Sequence, residues 1–102
     1  MLYGPAYFNF SNFFWAPRLD LSALAISSGS TVVVRFVDVS GDGWSFGVKL
    51  VNEDTGNSTT VKTATSSNPQ VTFTDMLTGH YRAYVTNNQS GTSWSGYIYI
   101  MW

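Results

Sequence analysis

The stretch FTDMLTGHYRAYVTN, residues 73–87, decides the fold. Gly79 marks a tight turn. Behind it Tyr81, Ala83 and Val85 recur at every second position, out of step with Arg82, Tyr84 and Thr86. A period of two belongs to a β-strand with one face on a core. His80 to Asn87 is therefore predicted as a strand. The same period runs outward in both directions. Thr31 to Val39 (TVVVRFVDV) is β-branched and almost wholly apolar, the pattern of a strand buried on both faces. Phe46, Val48 and Leu50 alternate with Gly47, Lys49 and Val51. Gln70 to Thr74 and Ser93 to Trp102 complete the apolar strands, and Ser58 to Ala64 is a polar strand suited to a sheet edge. DLSALAISS, residues 20–28, fits both periods and is read as irregular or extended. Turn residues recur about every ten positions, which predicts a single all-β domain over residues 1–102. The expected architecture is an antiparallel, Greek-key-like β-sandwich of seven or eight strands.

Leu77-Thr78-Gly79-His80-Tyr81, followed by the inward alternation of Ala83 and Val85, resembles the corner of Greek-key sandwiches of the immunoglobulin, fibronectin-III and Cna-B kinds. The resemblance covers about fifteen residues and implies a fold, not an activity. It implies that the Tyr81 hydroxyl bonds a backbone group and pins the crossover between sheets. The cysteine pair of antibody domains has no counterpart, since the chain contains no cysteine.

Charge narrows the functions further. Charged residues make up 11% of the chain, the net charge is −1, and Arg18, Arg35, Lys49, Lys62 and Arg82 are scattered. Nucleic acid is not an expected partner without a basic patch. No run of about 18 apolar residues would span a bilayer as a helix, so no transmembrane segment is expected. A composition rich in Ser, Thr, Asn and Gly suggests an extracellular or cell-surface protein. Aromatic residues, at 17%, exceed what a small core comfortably hides, and some are expected at the surface as an interface or ligand platform.

The segment DVSGDGWSFG, residues 38–47, fits two functional patterns. Asp38, Ser40 and Asp42 offer oxygens at alternate positions, as a calcium loop does, but position twelve is Lys49 where a bidentate Glu belongs. Calcium is thus the only cofactor the loop suggests, and none is expected. Gly43 to Gly47 fits G-x-S-x-G, yet a nucleophile elbow needs a strand-to-helix turn in an α/β sheet. Any triad would have to use the single histidine, as Ser45, Asp75 and His80. The chain is not expected to be an enzyme. The segment is read as a hairpin turn in which Trp44 closes one end of the core.

The two ends carry the aromatic excess. In the last strand Trp94, Ile98, Ile100 and Trp102 share one face and Tyr97, Tyr99 and Met101 the other. In residues 1–16, a candidate assembly segment, Phe8, Phe10 and Phe14 oppose Tyr7, Phe13 and Trp15. The leading expectation is a structural protein that forms homo-oligomers through these strands. Its interface would use Phe8, Phe10, Phe13, Phe14, Trp15, Tyr97, Tyr99 and Trp102, with main-chain pairing at free edges. The alternative is a carbohydrate-binding module, with Trp44, Trp94, Tyr97 and Tyr99 stacking on sugars while Asp42, Asn87 and Asn88 bond hydroxyls.

Overall fold

A computed structural model describes residues 1–102 as nine strands and no helix. They are β1 (Leu2–Phe10), β2 (Phe13–Ala16), β3 (Leu24–Ile26), β4 (Val32–Val37), β5 (Ser45–Asn52), β6 (Lys62–Thr65), β7 (Gln70–Phe73), β8 (Gly79–Asn87) and β9 (Trp94–Met101). Two antiparallel sheets face each other, one in the order β1-β9-β4-β7 and the other β2-β8-β5-β6. β3 continues the β2 position, pairing with the first residues of β8 while β2 pairs with the later ones. Counted as one position, β2 and β3 give eight, and the chain passes from sheet to sheet as in a jelly roll. The predicted sandwich is present. Its strand order sets β1 beside β9, whereas an immunoglobulin domain sets its first strand beside its second.

The two-residue period sorts the side chains. Val32, Val34 and Phe36 from β4, Ile98 and Ile100 from β9, Phe46, Val48 and Leu50 from β5, and Ala83 and Val85 from β8 fill the space between the sheets. Rings dominate that space. Phe46 lies 4.5 Å from Trp44 and 5.0–6.0 Å from Phe10, Phe36 and Phe8, and Phe8 stacks on Phe14 at 4.9 Å. The core thus takes up eight of the seventeen aromatic rings, and the others reach the surface at least in part. β4 corrects one expectation: its outward residues Val33 and Val37 are half-buried and Arg35 is exposed, so only one face is covered.

The Tyr81 hydroxyl donates to the Leu77 carbonyl at 2.8 Å, the contact implied by the corner motif. It holds the β7–β8 crossover where the chain changes sheets. Tyr81→Phe is expected to cost about 1 kcal/mol. Urea unfolding should show a lower midpoint with an unchanged slope.

The Asp38–Gly43 loop is not a hairpin turn. β4 pairs with β7 and β9, β5 with β6 and β8, so the loop arches between sheets. Asp38 and Gly43 adopt positive φ there, and Trp44 plugs the end of the core at 4% exposure. Gly and Asp suit either kind of connection, which is why the segment alone does not distinguish them.

Candidate functional site

Outward positions of β1, β9, β4 and β7 form a largely apolar face. Register places Tyr7, Tyr97 and Val37 in one row, Tyr99, Arg35 and Gln70 in the next, and Leu2, Met101, Val33 and Thr72 in a third. Tyr7 is 63% and Tyr97 39% exposed, and their rings meet edge to face at 5.7 Å. The outer face of an antiparallel sheet is ordinarily polar. Here Arg35 is the only charged group among these rows, and it forms no ion pair.

The residues expected at an interface do not form one surface. Phe8 and Phe10 lie in the core at 4% and 6% exposure, and Phe14 packs inward against them. This corrects their assignment: the N-terminal segment breaks at Ser11–Asn12, and β1 and β2 enter different sheets with the same phenylalanine face turned inward. Tyr97 and Tyr99 lie on the outer face just described. Phe13 and Trp15 lie on the opposite sheet, against Tyr84 at 5.4 and 4.6 Å. Trp102, half-buried, donates its indole N–H to the Ala25 carbonyl at 3.0 Å.

The alternative sugar-binding set is brought together at one end of the sandwich, where the 38–44 and 87–93 loops meet. Gln89 donates to the Gly43 carbonyl and the Asn88 backbone to Ser45. Trp44 and Trp94 nevertheless belong to the core, so neither presents a ring to a ligand. Asn87 spends its amide on the Ser11 and Thr92 carbonyls, both at 2.8 Å, and its Oδ1 on the Gln89 N–H. Asn88 donates to Ser45 Oγ at 3.1 Å. Asp42 is exposed. These contacts build the loop end, which corrects their reading as a sugar platform.

The catalytic pattern comes apart as well. Ser45 opens β5 and His80 sits at the other end of the β5–β8 ladder, about 27 Å away at 3.4 Å per residue. His80 Nδ1 bonds Asp54 Oδ2 at 2.9 Å, not Asp75, and the His80 N–H donates to the same oxygen at 3.0 Å. Ser40 Oγ accepts from the Ser95 N–H, and no three Asp, Glu or His side chains gather as a metal site at Asp38–Asp42 or elsewhere.

The side-chain hydrogen bond from His80, then the backbone one, hold the Asp54 carboxyl below its ordinary range. A depressed carboxylate stabilises the fold above its unfolded value, about 3.9, and the stabilisation is lost as pH falls through the folded value. Urea midpoints taken from pH 6 to pH 2 should fall in acid, and fall less for Asp54→Asn. The pair is solvent-exposed, so the difference is small.

Arg82 was not legible as a structural residue. Its side chain is buried on the outer side of β8, under the 17–21 segment. It donates to Glu53 Oε2 at 2.6 Å and to the carbonyls of Pro17, Arg18 and Leu21 at 2.6–3.0 Å. This clamp carries the chain from β2 to β3.

Comparison of the chain with protein-family models, with curated proteins and with solved structures finds no match.

Proposed function

We propose that the chain is a non-catalytic structural protein, extracellular or on a cell surface, that assembles with its own copies through the outer face of the β1-β9-β4-β7 sheet. One observation carries the reading: of three rows of outward side chains, the Tyr7–Tyr97–Val37 row is wholly apolar and the Leu2–Met101–Val33 row is apolar up to Thr72, where water would favour polar groups, with Tyr99, Arg35 and Gln70 between them. Strands about 4.8 Å apart and of nine, eight, six and four residues give a face of roughly 440 Å². That is below the about 600 Å² per partner of the smaller specific interfaces, so the contact is a weak one that forms as concentration rises.

Assembly is by faces, not by edges. β9 is paired on both sides, so of the two terminal strands only β1 has a free edge. The β1 register is irregular between Tyr3 and Ala6, and Pro5 there has no N–H to offer a neighbouring strand. A Cβ at Gly4 would run into the Ile98 carbonyl oxygen, so this irregularity depends on glycine.

Sedimentation velocity over a wide concentration range tests the reading. The natural chain is expected to form a larger species as concentration rises. Tyr97→Ala should sediment as a folded monomer, and Phe13→Ala, on the opposite sheet, should behave as the natural chain. A monomer at every concentration sinks the proposal, and so does an oligomer indifferent to Tyr97.

A further inference from the structure

We infer that the outer face of the other sheet, around Trp15, Tyr84 and Lys49, is a binding groove for an acidic saccharide, a chain of pyranose rings bearing carboxylates. Pairing places Trp15 of β2 beside Tyr84 of β8, and Tyr84 beside Lys49 of β5. The two rings lie 4.6 Å apart, and Lys49 Nζ stands 5.3 Å from the centre of the Tyr84 ring. All three side chains are half-buried. A hollow of about 330 Å³ opens among Trp15, Lys49, Val51, Gly56, Ser58 and Tyr84. A second, of about 90 Å³, opens at Gly47, Val61 and Thr86 and shares Lys49 and Tyr84 with the first. The larger volume is at the lower end of small-molecule sites.

Three features select the ligand. Lys49 forms no ion pair, and no carboxylate lines either hollow, so the groove offers an uncompensated cation to an anionic group. Trp15 offers a flat ring of the kind that the C–H face of a pyranose covers, held in place by Tyr84, whose own ring is packed by Trp15 and Phe13 and capped by Lys49, with Ser58 and Thr86 lining the hollows to meet ring hydroxyls. The two hollows share Lys49 and Tyr84, which suits a chain of rings rather than one compact molecule. At the floor of the second, Thr86 and Val61 pack closely over Gly47, where a Cβ would stand 2.7 Å from Thr86 Oγ1. A single lysine in a chain of net charge −1 suits a sugar carboxylate better than the dense phosphates of nucleic acid. The groove lies on the sheet opposite the proposed assembly face, so the two proposals stand or fall separately.

The test is an NMR titration of the full chain at low salt with a galacturonic acid trimer, a neutral galactose trimer and inorganic phosphate. The acidic trimer is expected to shift the Trp15 indole and Tyr84 ring signals saturably at millimolar concentration. Lys49→Met, which keeps the alkyl stem, should weaken that binding about tenfold and leave any binding of the neutral trimer unchanged. Trp15→Ala should abolish both. If Trp15→Ala fails to fold, Lys49→Met decides the matter alone. The inference is overturned if the acidic trimer shifts nothing at Trp15, or if Lys49→Met binds it as the natural chain does. Equal binding of the neutral trimer, or the same shifts from phosphate alone, would overturn it as well.

Discussion

Replacing Phe46 by alanine is expected to remove about 4 kcal/mol of folding stability, the largest loss from any single truncation in this core. The side chain has no solvent exposure, and its ring touches Phe8, Phe10 and Phe36 of the facing sheet and Trp44 of the arch between the sheets. Each of those rings is itself packed edge-on or face-on to another, so none can swing into the vacated space without breaking a second contact. The cavity therefore stays largely unfilled, and its cost adds to the lost transfer energy. A domain of this size has roughly 5–15 kcal/mol to lose, so the variant should be marginal or unfolded at 37 °C. Urea unfolding monitored by tryptophan fluorescence measures it. Phe13→Ala, at an exposed ring on the outer face, should fall within about 0.5 kcal/mol of the natural chain. If Phe46→Ala were equally mild, the ring network would not be the keystone of the sandwich.

Arg82→Met is expected to cost about 3 kcal/mol, or roughly 15 °C in Tm. Methionine keeps most of the packed stem but removes every donor. The carbonyls of Pro17, Arg18 and Leu21 and the Glu53 carboxylate then lose their shared partner together. Part of that loss is recovered as the 17–21 segment opens to water, which keeps the figure below that of a wholly buried pair. Glu53→Gln should cost only about 1 kcal/mol, because that carboxylate is partly exposed and the three carbonyl contacts remain. Hydrogen exchange should localise the Arg82→Met effect first to residues 17–23. Uniform loss of protection across both sheets would instead place Arg82 in the global core.

The period of two carried the fold a long way. It predicted the inward set of β8, separated the two faces of β5 and β9, and divided Phe8, Phe10 and Phe14 from Tyr7, Phe13 and Trp15, because parity along an extended chain survives even where the chain changes sheets. The Tyr81 corner was legible because its partner, Leu77, is four residues away. What stayed hidden depends on pairing between distant segments. The Asp38–Gly43 arch looks like a hairpin because both connections need the same residues. The burial of Trp44 and Trp94 depends on the two loops that close over one end. Trp15, Lys49 and Tyr84 become one row only through the register of β2, β8 and β5, and the last two carry no signal beyond standing out of phase with their strands' inward residues. Arg82 is of the same kind: an outward position that another segment happens to cover.

We propose that one copy meets another through the Tyr7–Tyr97 face. Isotope-filtered NMR on an equal mixture of labelled and unlabelled chain tests it most directly, since only contacts between molecules then give cross-peaks. Cross-peaks from Tyr7, Tyr97 and Tyr99 to Val33, Val37 or Met101 of another copy are predicted. Cross-peaks confined to Phe13, Trp15 and Tyr84, or none at a concentration where the chain sediments as an oligomer, would contradict it.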